Sequence, residues 1–126
     1  MGGGTIRTYT VAVNTTGSNG SASGTGTATD FIQGYFLDAY LDYGASAPSS
    51  TVVTITQTGQ SDAILTAPAS ATDVRLAPRQ ALVNRAGSAI TNSHDLIPVN
   101  GTLTVAASLS NALSPAVTVT IRVLTF

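Results

Sequence analysis

Cysteine is absent from the 126 residues, which removes disulfides, thiolate nucleophiles and thiolate metal sites together. Tryptophan is absent too, and with four tyrosines and three phenylalanines the core has to be filled by Val, Ile, Leu and Ala. There is no Lys and no Glu. The five cations are all Arg and the six anions all Asp, so 9% of residues are charged, against about a quarter in an ordinary soluble domain. A surface so poor in charge suits a protein that lies against other protein. Ser and Thr, 33 residues in all, are the alternative source of solubility. The formal net charge of −1 offers no long-range attraction to nucleic acid or to an anionic membrane, and neither is expected as a partner. No apolar run reaches the roughly 18 to 20 residues of a membrane-spanning helix. The opening Met1-Gly2-Gly3-Gly4-Thr5 has no basic n-region and no apolar h-region, so cytoplasmic synthesis without a cleaved signal is expected.

What is present is β patterning. A chain of this length has room for one domain, with roughly 6,000 Å² exposed when folded against roughly 18,000 Å² unfolded. Period-two alternation recurs throughout, and no 3.6-residue apolar period is sustained. Tyr35, Leu37, Ala39, Leu41 and Tyr43 alternate with Phe36, Asp38, Tyr40 and Asp42, which predicts a strand with one buried and one mixed face. The Pro48 segment ends it, because proline has no N–H for a ladder. Further strands are expected at Thr5 to Val13, Thr25 to Ile32, Thr51 to Gln57, Ala63 to Thr66 and Asp73 to Leu76. The last two, Thr102 to Leu109 and Ala116 to Phe126, are expected to pair as a hairpin. Asn14 to Gly26, rich in Gly, Ser, Asn and Thr, reads as a long exposed loop.

About eight strands between turn signals predict an all-β, single-domain antiparallel β-sandwich, with a jelly roll as the preferred arrangement. The organisation expected is a flexible N-terminal arm over residues 1–5 and one β-sandwich domain over 6–126, with the Gly/Ser-rich loop near 14–26. The arm is too rich in glycine to order alone, since glycine loses most backbone entropy on fixing.

Catalytic groups are scarce. Asp38 and Asp42 share a strand face, yet four residues at about 3.4 Å rise set them roughly 13 Å apart, beyond the ~6.5 to 9.5 Å of an inverting glycosidase pair. His94 is the single histidine, and its neighbours Ser93 and Asp95 are adjacent in sequence rather than convergent from separate segments, as a triad requires. One histidine without Cys or Glu falls short of a zinc site. No enzyme activity, metal or cofactor is expected. Phe36 and Tyr40, on one face, could form a small sugar platform, which keeps a secreted binding module among the alternatives.

The stretch Phe36-Leu37-Asp38-Ala39-Tyr40-Leu41-Asp42-Tyr43, its Pro-containing turn and the strand Thr51-Val52-Val53-Thr54-Ile55-Thr56 resemble small head proteins of tailed bacteriophages. Thr72-Asp73 leading to Pro78-Arg79, Ile97-Pro98-Val99 with an Asn100-Gly101 turn, and the Val-rich Val117 to Leu124 follow in the same order, so the resemblance spans roughly residues 34–126. It implies a capsid decoration, or cement, protein. Such a subunit sits on the virion's capsid surface after synthesis in the host cytoplasm, binds the major capsid protein, and assembles with itself as a homotrimer. Val74-Arg75-Leu76-Ala77 departs from the family pattern ahead of Pro78-Arg79. The residues expected at capsid or subunit interfaces are Gly2, Gly3, Gly4 and Thr5 of the arm, Phe36, Asp38, Tyr40 and Asp42 of the mixed face, and Arg79. Another phage structural subunit, of a tail tube or fibre, shares every compositional feature and is the other alternative.

Overall fold

The computed structural model describes residues 4–126, so Met1, Gly2 and Gly3 lie outside the described residues. Among the described residues nine strands are formed: β1 (Thr5–Val13), β2 (Ala22–Tyr43), β3 (Val52–Gln57), β4 (Ala63–Ala67), β5 (Val74–Leu76), β6 (Gln80–Val83), β7 (Ala89–Asp95), β8 (Ile97–Ser110) and β9 (Val117–Thr125). There is no helix among the described residues. The pairing order is β1-β9-β2-β8-β3-β4, all antiparallel, with β5 on β2 and a separate β6-β7 ribbon.

β2 organises the molecule. Its first part, up to Phe36, pairs with β8, while Gly34 onward pairs with β9, and Ala39 to Leu41 pair with β5. One long strand therefore belongs to both layers of the sandwich, and a register shift between Ala28 and Ile32 lets it turn from one to the other. The alternating apolar residues of the layers meet in one core: Val11 and Val13 of β1, Val53 and Ile55 of β3, Leu103 and Val105 of β8, and Val117, Val119, Ile121 and Val123 of β9. Each such Val, Leu or Ile taken fully out of water stabilises the fold by about 1.5–3 kcal/mol before its ordering cost. The strand order is compatible with the jelly roll expected from the sequence.

Four expectations are corrected. β8 and β9 do not form a hairpin, because β2 lies between them. Their connection instead crosses the end of the sandwich and is tied to β1: Thr15 N–H donates to the Leu113 carbonyl at 2.9 Å, and Ala116 N–H to that of Val13 at 2.9 Å. The exposed loop is shorter than residues 14–26, since β2 starts at Ala22 and Ala22 is fully buried. At Gly24 a Cβ would collide with the Asn14 carbonyl, so this glycine serves close backbone approach rather than flexibility. Thr5 is the first residue of β1, opposite Thr125, and not part of a free arm. Asn100-Gly101 is not a turn, because β8 runs through it.

The clean alternation through residues 35–43 is also interrupted. Phe36 pairs with Val123 and Asp38 with Arg122, so Leu37 is an extra residue on β2, a β-bulge. The bulge shifts the phase, placing Phe36 in the core with Ala39, Leu41 and Tyr43 and leaving Tyr35 on the surface.

Candidate interface surfaces

Beyond the bulge, Asp38, Tyr40 and Asp42 alternate with the core residues Ala39, Leu41 and Tyr43 and so face outward. β9 places Arg122 directly opposite Asp38, and β5 places Arg75 opposite Tyr40, one diagonal step away. Both arginines turn to Asp38. Arg122 Nε donates to Asp38 Oδ1 at 2.9 Å and Arg122 Nη2 to Oδ2, a bidentate pair, while Arg75 Nη1 lies 3.4 Å from Oδ1. The Arg75 guanidinium also sits 5.5 Å from the Tyr40 ring centroid. Asp38 is left 6% exposed. The hydrogen bonds from Arg122 hold its carboxyl below the usual carboxylate range, against an opposing push from burial. Arg122 is correspondingly raised by the same contact.

Arg79 closes the other side of the bulge. Its Nη1 donates to the Leu37 carbonyl at 2.9 Å and to the Pro78 carbonyl at 2.8 Å. That satisfies an acceptor the bulge takes out of the ladder and fixes where the chain leaves β5 for the β6-β7 ribbon.

The expected interface residues therefore divide. Phe36 is corrected: it is fully buried and presents nothing to a partner, so the Phe36 and Tyr40 sugar platform does not exist. Asp38 is likewise corrected from an open surface charge to the centre of an internal ion-pair cluster. Tyr40 is half-buried beside it, Asp42 and Arg79 are exposed, and Gly4 is exposed next to Leu124 and Phe126. Gly2 and Gly3 lie outside the described residues. His94 is exposed on β7 opposite Ala81. Among the described residues no group of His, Asp or Glu is arranged to hold a metal.

Two features were missed by reading the sequence. The first is the ribbon itself. Asn84 builds its turn, its Oδ1 accepting from Ala86 N–H at 2.9 Å and Ser88 N–H at 3.1 Å, with Gly87 at φ 84°. The Asn-x-x-Gly spacing between Ala-Leu-Val and Ala-Ile was the available signal. The second is a cavity of about 220 Å³ beside β5, lined by Tyr43, Ala67, Pro68, Ser70, Thr72, Asp73, Val74 and Leu76. Asp73 Oδ1 accepts from Tyr43 N–H at 2.9 Å. The Tyr43 hydroxyl is buried without a hydrogen-bond partner among the described residues, and burial together with the Asp73 charge pushes its pKa up. A separate open groove of about 410 Å³ is lined by Arg7, Tyr9, Asp30, Phe31, Gln33, Thr125 and Phe126.

Comparison with protein-family models, with curated proteins and with solved structures finds no match for this chain.

Proposed function

We propose that the chain is a structural virion protein, a capsid decoration or cement subunit that binds the major capsid protein shell of a tailed phage and stabilises the head as a homotrimer. The observation that carries the reading is a β-sandwich with apolar side chains left on the outside of a charge-poor surface. Ile6, Phe31, Leu82, Val83, Ile90 and Leu109 are exposed, and the chain exposes 6962 Å², above the roughly 6,000 Å² expected of a compact monomer of its size. A cement subunit works by contact, so it needs an inert core and adhesive surfaces, and repetition over a shell turns modest contacts into large avidity. The resemblance over residues 34–126 points the same way. Incubating the purified protein with undecorated capsids and sedimenting the mixture tests it. Saturable co-sedimentation with raised capsid heat resistance is expected, and its absence at micromolar protein would overturn the reading.

A secreted binding module is the second reading, and the groove beside Phe31 favours it. Three aromatic side chains, Tyr9, Phe31 and Phe126, stand there with Arg7, Asp30 and Gln33, a composition suited to stacking and hydrogen-bonding a sugar. Glycan binding abolished by Phe31→Ala, without capsid binding, would favour it over the cement reading.

A further inference from the structure

We propose that the β6-β7 ribbon of one copy inserts its apolar end into the Tyr43 cavity of the next copy, so that the subunits join head to tail. The proposal rests on the reading of this chain as a self-associating subunit, and it names the contact. Among the described residues the ribbon pairs only with itself, and Leu82, Val83 and Ile90 on it are 40%, 57% and 44% exposed. An isolated two-stranded ribbon is at best marginally stable in water, so this one calls for a covering surface. Its root is fixed by Arg79 on the Leu37 carbonyl, and from Gln80 to the Asn84 turn it extends roughly 14 Å at ~3.4 Å per residue, enough to cross to a neighbour.

The cavity has the complementary character. Tyr43, Ala67, Pro68, Val74 and Leu76 make it largely apolar, and at about 220 Å³ it is below the ~300 Å³ at which small-molecule pockets begin, a size for one or two side chains. The charges match as well. Arg85 in the ribbon turn has no ion-pair partner among the described residues, and neither has Asp73 on the cavity wall. An apolar end flanked by a cation meets an apolar hole flanked by an anion. Ribbon and cavity are different patches of the same chain, so the contact is heterologous and closes into a ring when the rotation allows, as a trimer requires.

The absence of native cysteine makes the test clean. Val83→Cys and Thr72→Cys chains are prepared separately, mixed under subunit exchange and treated with a short bis-maleimide, while light scattering gives the mass of the unmodified protein. The expected result is a covalent dimer in the mixture and not in either chain alone, with the double variant giving a ladder that ends at the trimer. Val83→Asp, which sets a carboxylate against Asp73, should weaken self-association at least 10-fold. Arg85→Asp should do the same, and Arg85→Asp combined with Asp73→Arg should restore it. A trimer mass with no hairpin-to-cavity product would overturn the proposal and leave the trimer standing. Cross-linking confined within single chains would overturn it by showing that the ribbon covers its own cavity. A monomeric mass with no product would overturn the contact and the self-association together, whereas loss of capsid binding alone would bear only on the cement reading.

Discussion

Replacing Asp38 by Asn keeps the shape of the side chain and removes the charge that Arg122 and Arg75 converge on. The carboxylate accepts two hydrogen bonds from Arg122 and a longer one from Arg75. Bonds to charged groups contribute about 1.5–3 kcal/mol each. The arginine side chains remain 43% and 53% exposed, so once released they regain water rather than being stranded as buried charges. That discounts the cost to about 2 kcal/mol at neutral pH. For a chain of this size it corresponds to roughly 6–10 °C in Tm. Because the folded-state pKa of Asp38 is lowered from 3.8, the unfolded chain binds the proton more readily than the folded one. The contribution is therefore complete above the unfolded value and is lost as pH falls through the lowered folded value. Wild type and Asp38→Asn should differ by the full amount at pH 7 and converge progressively below about pH 4. Urea denaturation at fixed protein concentration measures both, the fixed concentration being needed if subunits associate. A difference under about 0.5 kcal/mol at neutral pH, or one that stays constant into strong acid, would refute the assignment of Asp38 as an internal ion-pair centre.

Other substitutions test other parts of the structure. Phe36→Ala should cost about 3–5 kcal/mol and Leu37→Ala only about 1 kcal/mol in urea denaturation, the reverse of what uninterrupted alternation implies. At Gly34 a Cβ would collide with the Leu124 carbonyl, so Gly34→Ala should sharply reduce soluble yield or lower Tm by more than any surface alanine does. His94→Ala should leave stability within about 1 kcal/mol of wild type and capsid binding unchanged, as measured by melting and co-sedimentation. Deleting Gly2 to Gly4 should leave Tm nearly unchanged while weakening retention on capsids under dilution, and equal retention would remove the arm as an anchor.

The fold was legible wherever strands are simple. Val53 and Ile55, and the run Val117, Val119, Ile121 and Val123, are buried as their alternation predicts, because the extra residues in their pairings lie on the partner strands β4 and β2, and β3 and β9 themselves keep an unbroken pleat. It was not legible where one residue changes the phase. Nothing in Tyr35-Phe36-Leu37-Asp38 distinguishes an extra residue from a regular pleat, and the bulge is set by where β9 and Arg79 hold the chain. Composition misled at Asn14 to Gly26, where glycines that admit a neighbouring backbone look the same as glycines that confer flexibility. Asp38 was expected at an interface and is instead an internal ion-pair centre, because its partners Arg75 and Arg122 lie 37 and 84 residues away and only strand order brings them together. The ribbon and the cavity were missed because a short exposed ribbon has no buried face to impose a pattern, and a cavity belongs to no single segment.

The most direct test of the proposed cement role is a cryo-electron microscopy reconstruction of tailed-phage heads incubated with this protein. The account predicts trimers of this sandwich on the outer surface of the head, at threefold and quasi-threefold joints between major capsid proteins, in copies numbering on the order of hundreds. A head bare of this density, or a few dozen copies or fewer confined to the tail, would contradict it.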